Sequence, residues 1–132
     1  MRAVVLVLSL TALLASCRPP DAGSSTTGSA SADPVAVAID LPEAPAVGPA
    51  TVVVRVDRDG VAVEGADVEI TGDMTHAGMV PVIRAAFEAS PGVYRADDMV
   101  FDMAGDWIVT ADVTLPDGST TRQEAATTVR RP

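Results

Sequence analysis

From Val35 onward, apolar residues recur at every second position, in runs that Gly or Pro interrupts before a helical period can develop. Such alternation sends successive side chains to opposite faces of an extended chain, so each run has one face for a core and one for water. Val35, Val37, Ile39 and Leu41 alternate with Ala36, Ala38 and Asp40; after Pro42, Pro45 and Pro49 the pattern resumes at Val52, Val54 and Val56 against Arg55 and Asp57. Asp59-Gly60 has the composition of a tight hairpin turn, because Gly takes positive φ at no steric cost. Val61 to Val63, Ala66, Val68 and Ile70 follow, with Asp67 and Glu69 predicted to face water. Pro81, Ile83, Ala85 and Phe87 alternate with Val82, Arg84, Ala86 and Glu88, and Ser90-Pro91-Gly92 turns the chain into Tyr94 and Ala96. Met99, Phe101 and Met103 resume an apolar face. Trp107, Val109, Ala111, Val113 and Leu115 alternate with Thr110, Asp112 and Thr114, and Pro116-Asp117-Gly118 leads into a polar last strand from Thr120 to Val129, a composition suited to a sheet edge.

About seven short strands separated by turns at fairly regular intervals are the pattern of an all-β antiparallel sandwich, with the immunoglobulin-like architecture the expected form. The single Cys leaves no cysteine pair to bridge the layers, so Trp107 and the Val-rich faces must supply cohesion by burial.

The residues before this region have other purposes. Met1-Arg2 is a short positive start, and Ala3 to Ala15 is an apolar run broken only by Ser9 and Thr11. It is too short to remain as a membrane-spanning helix and has the form of a secretory signal. Leu14-Ala15-Ser16-Cys17 resembles the bacterial lipoprotein signal, which implies cleavage before Cys17, acylation of its sulfur and residence of the mature end in a bilayer. Residues 1–16 are therefore read as signal peptide. Residues 17–33 are read as acylated Cys and flexible linker, since Arg18 to Asp33 holds Pro, Gly, Ser and Thr with only Ala as apolar content. Residues 34–132 are the folded domain. The expected location is extracytoplasmic and membrane-anchored.

Composition narrows the function. The 132 residues include 18 acidic residues against nine Arg and no Lys, for a net charge of −9, which argues against a nucleic-acid partner. One His, one Cys, no Lys and no Asn leave most nucleophilic and acid–base catalytic sets without their parts, so no enzymatic activity is expected.

One local constellation stands out: the only His lies between two thioethers in Met74-Thr75-His76-Ala77-Gly78-Met79. Imidazole and thioether are borderline and soft donors suited to Cu(I), whereas Ca and Mg want oxygen. In an extended segment Met74 and His76 share a face, and Gly78 allows a turn that returns Met79 towards them. Met99 and Met103 can add donors from another strand, although both also fit the apolar alternation as core residues. With a single imidazole and no thiol after acylation, a zinc site would lack its usual ligands. Asp57, Asp59 and Gly60 fall short of a calcium loop, and a hairpin turn explains them. Asp97 and Asp98, adjacent on a strand, are expected on opposite faces.

The stretch from about Gly48 to Leu115 resembles the YtkA-like and FixH-like domains, small exported β-sandwich modules. Three segments carry the resemblance: Met74 to Met79, the Pro91-Gly92-Val93-Tyr94 turn into a strand, and Met103-Ala104-Gly105-Asp106-Trp107, which is similar to the family's entry to a Trp-bearing strand. The resemblance implies an immunoglobulin-like fold and, for the FixH branch, a role near copper supply for cytochrome oxidase assembly. A lipoprotein signal where FixH proteins keep a transmembrane helix favours the YtkA-like branch. Two functions are expected as alternatives: copper handling or delivery through the Met/His cluster, or docking on a membrane or envelope protein without metal.

Overall fold

The structure, a computed structural model, describes residues 35–76 and 78–132. The expected signal peptide, acylated Cys17 and flexible linker lie outside the described residues. Among the described residues eight strands follow in order: β1 Val35–Asp40, β2 Gly48–Arg58, β3 Val61–Ala62, β4 Asp67–Met74, β5 Val82–Ser90, β6 Val93–Phe101, β7 Gly105–Thr114 and β8 Thr120–Val129. Every strand pairing is antiparallel, along the path β1-β2-β6-β5-β4-β7-β8 with β3 added to β2. This is the all-β, immunoglobulin-like sandwich that the alternation predicts.

The path folds over at β5. Val82 to Ala86 pair with β4, and Phe87 to Ser90 pair with β6, so one strand serves both layers. On the far side, Val47 N–H donates to the Arg130 oxygen at 2.9 Å and Arg130 N–H to the Pro45 oxygen at 2.9 Å, which ties the segment after β1 to the end of β8.

Between the layers the predicted inward residues meet. Val52, Val54 and Val56 of β2 and Tyr94, Ala96, Met99 and Phe101 of β6 face Val68 and Ile70 of β4 and Trp107, Val109, Ala111 and Val113 of β7, with Leu115 and Val129 at the margin. Removing a Val, Ile or Phe side chain from water is worth roughly 1.5 to 3 kcal/mol, so this set is the main source of cohesion. Trp107 meets Phe101 edge-to-face at 5.1 Å between ring centroids, and its indole Nε1–H donates to the Met103 oxygen at 3.0 Å. The Tyr94 hydroxyl donates to the Val63 oxygen at 2.7 Å and accepts from Ala66 N–H at 2.9 Å, fixing the crossing from β3 to β4. Burial raises the Tyr94 phenol above its ordinary pKa, because the charged form would lose hydration there. Asp59 and Gly60 both have positive φ, as a tight hairpin turn requires.

Two local expectations change. In β5 it is Val82 and Ala86 that pack against the core, while Ile83 and Phe87 are about half exposed. In β6 the register slips against β2: Ala50 pairs with Met99 and Val52 with Ala96, so three residue steps oppose two. This bulge leaves both Asp97 and Asp98 exposed, not on opposite faces, and shifts the inward phase from Tyr94 and Ala96 to Met99 and Phe101.

Candidate metal site at one end of the sandwich

The Met/His segment leaves β4 at the end of the sandwich where β7 begins its pairing with β4, Met74 opposite Trp107. The inward phase of β4 is Val68, Ile70, Gly72 and Met74, and it becomes less buried towards the rim. Met74 lies opposite Trp107, half-buried, with its methyl carbon 2.7 Å from where a Cβ on Gly105 would sit. The ladder runs one residue further, since Thr75 N–H donates to the Asp106 oxygen at 3.1 Å. His76 is exposed, and its Nδ1 is hydrogen-bonded to Thr75 Oγ1.

The remaining thioethers divide by depth. Met79, after the turn, is half-buried and packs against the core. Met103 precedes β7 and is 44% exposed, with its backbone oxygen held by Trp107. Met99 is fully buried. Its methyl carbon lies 2.2 Å from where a Cβ on Gly72 would sit, so the missing side chain of that glycine makes room for it. The five sequence-predicted residues thus fall on both sides of the solvent boundary: His76 and Met103 outside, Met74 and Met79 at the boundary, Met99 within. Among the described residues no three His, Cys, Asp or Glu side chains come together as a metal-holding group.

The family profile described as YtkA-like matches residues 29–112, well over half of the chain. The chain belongs to the YtkA-like family. The match ends within β7, so the Met/His segment, the Tyr94 strand and Trp107 all lie inside it. Among solved structures, CopC from Methylosinus trichosporium OB3b is similar at 20% identity with a TM-score of 0.53, covering 75% of this chain and 94% of that one. The soluble domain of PmoD from Methylocystis sp. ATCC 49242 (Rockwell) is 14% identical with a TM-score of 0.46, covering 74% of this chain and 91% of that one. Murine CRIg, at 14% identity and a TM-score of 0.42, covers 74% and 98%. The first of these likenesses supports the fold, and the other two are too distant to argue from. No curated protein matches the chain by sequence.

Two features escaped the sequence reading. Asp106 holds both sides of the site's base: its backbone oxygen takes Thr75 N–H, and its carboxylate takes Thr128 Oγ1–H at 2.8 Å. Arg84 sits on the inward phase of β5 yet reaches Asp98 of β6. The first has no signal beyond an Asp before a Trp strand. The second is signalled only by a charge, Arg84, between Val82 and Ala86 on one phase of β5.

Proposed function

We propose that this YtkA-like sandwich is a non-enzymatic, lipid-anchored extracytoplasmic protein that binds Cu(I) for handling or delivery. The observation that carries the reading is His76, exposed and pinned through Nδ1, at the same end of the sandwich as Met74, Met79 and Met103. Cu(I) accepts two to four soft ligands with little geometric demand, and this end offers one imidazole and three thioethers in range of the surface. Met99 stays within the core in this arrangement.

The test is competition for Cu(I) against a chromogenic chelator under reducing conditions. His76→Ala with Met79→Ala should lower the affinity by at least tenfold, and Cu(I) should outcompete Zn(II) in the wild type. Equal competition by wild type and double variant would remove the reading. The anchor has its own test: Cys17→Ser should shift the protein out of the membrane fraction, and unchanged fractionation would sink that part.

A second reading, docking on a membrane or envelope protein without metal, is favoured by the outward faces of Ile83 and Phe87 and by Val80, which is 85% exposed. Apolar residues grouped on a surface are a usual mark of protein contact. This reading takes the lead if the copper titration fails.

A further inference from the structure

The shared strand leaves a seam. β5 and β6 are paired only where Phe87 to Ser90 meet Val93 to Arg95. Beyond that point Val82 to Ala86 follow β4 and Ala96 to Phe101 follow β2, so the two strands diverge towards the end that carries the methionines. Diverging strands expose unpaired backbone groups and open a way between the layers.

One side chain spans the gap. Arg84 Nε lies 3.0 Å from the backbone oxygen of Asp98 and 3.1 Å from its carboxylate Oδ2, while Nη1–H donates to the Ile83 oxygen at 2.7 Å. The guanidinium thereby satisfies a carbonyl that β6 has no strand to pair with. The next residue after Asp98 is Met99, whose side chain fills the inside of the seam: its methyl lies over Gly72, and Gly72 is the register partner of Val82. Arg84 closes the outside of the same gap that Met99 closes from within.

We infer that the Arg84–Asp98 contact is a strap that controls access to the Met99 thioether. Shut, it leaves Met99 fully buried and outside any surface chemistry. Open, it brings a further soft donor to the end where Met74 and Met79 already sit, a consequence for metal that rests on the copper reading. The strap itself does not rest on it. A guanidinium that is about one-third exposed and a carboxylate that is mostly exposed form a contact weak enough to open transiently.

Hydrogen peroxide measures this access without metal. The methionine sulfur attacks one peroxide oxygen, the O–O bond breaks, water leaves, and the sulfide is oxidised by two electrons to the sulfoxide while peroxide is reduced. The full chain is treated with peroxide, and sulfoxide at each methionine is followed by peptide mass spectrometry. In the wild type Met103 should oxidise fastest and Met99 slowest. Arg84→Gln should raise the rate at Met99 relative to Met103 by about tenfold, an opening that a lost strap permits locally. Arg122→Gln, which breaks the pair with Asp112 between β7 and β8, away from the seam, should leave that ratio unchanged. An unchanged ratio in Arg84→Gln overturns the inference. So does a parallel rise at Met74, Met79, Met99 and Met103, which would mean that Arg84 serves overall stability. Because no copper is present, neither outcome can be confused with failure of the copper reading.

Discussion

Asp117 shows how much a single turn residue can be shaped by its neighbours. Its Oδ1 accepts from the Ser119 hydroxyl and, at 2.9 Å, from Ser119 N–H, and its Oδ2 accepts from Arg58 Nη2–H at 2.9 Å. Together these donors, the Ser119 hydroxyl foremost, lower the carboxyl from 3.8 to about 2. A depressed carboxyl pKa stabilises the fold above the unfolded value near 3.9, and that contribution disappears as pH falls through the folded value. A carboxyl titration followed by NMR should place the Asp117 midpoint near 2. Ser119→Ala should move it up towards the ordinary carboxylate range, and a midpoint that does not respond to the substitution would show that Arg58 dominates. At this scale the sequence was legible as a turn, Pro116-Asp117-Gly118, but not as a hydrogen-bonded one. The partner Arg58 is distant in sequence, and only the pairing of strands brings it near.

Among the elements, β2, β4 and β7 were readable from alternation because their two phases differ sharply: Val52, Val54 and Val56 against Arg55 and Asp57 admit one assignment. β5 was not readable in the same way. Both of its phases contain apolar residues, Val82 and Ala86 on one and Ile83 and Phe87 on the other, so periodicity cannot say which faces the core. The bulge at Asp97 and Asp98 was hidden for a related reason, since an inserted residue reverses the phase without altering composition. β7 gives the sharpest element-level expectation. Trp107 is 1% exposed, packs on Phe101 and donates its indole N–H to the Met103 oxygen. Trp107→Ala should cost about 3 to 5 kcal/mol through the cavity it leaves. That is a large part of the roughly 5 to 15 kcal/mol by which such a domain is stable, and a denaturant titration showing a loss below about 1 kcal/mol would contradict its place in the core. The candidate site was legible as a cluster of donor types in Met74 to Met79. Depth was not: Met99 and Met103 have the same side chain and nearly the same sequence setting, and only the packing over Gly72 sets one inside and leaves the other in solvent.

At the scale of the whole molecule, the division of β5 between the layers decides how the domain comes apart. In a sandwich of two independent sheets, one layer can loosen while the other persists as a separate cooperative unit. Here the hydrogen bonds of Val82 to Ala86 belong to one layer and those of Phe87 to Ser90 to the other, on nine consecutive residues. Releasing either sheet withdraws the strand that borders its neighbour, and the stitching of Pro45 and Val47 to Arg130 makes the same demand at the opposite margin. The two layers are thus expected to come apart as one foldon, with a single threshold for global disassembly, while an opening at the seam between β5 and β6 stays local.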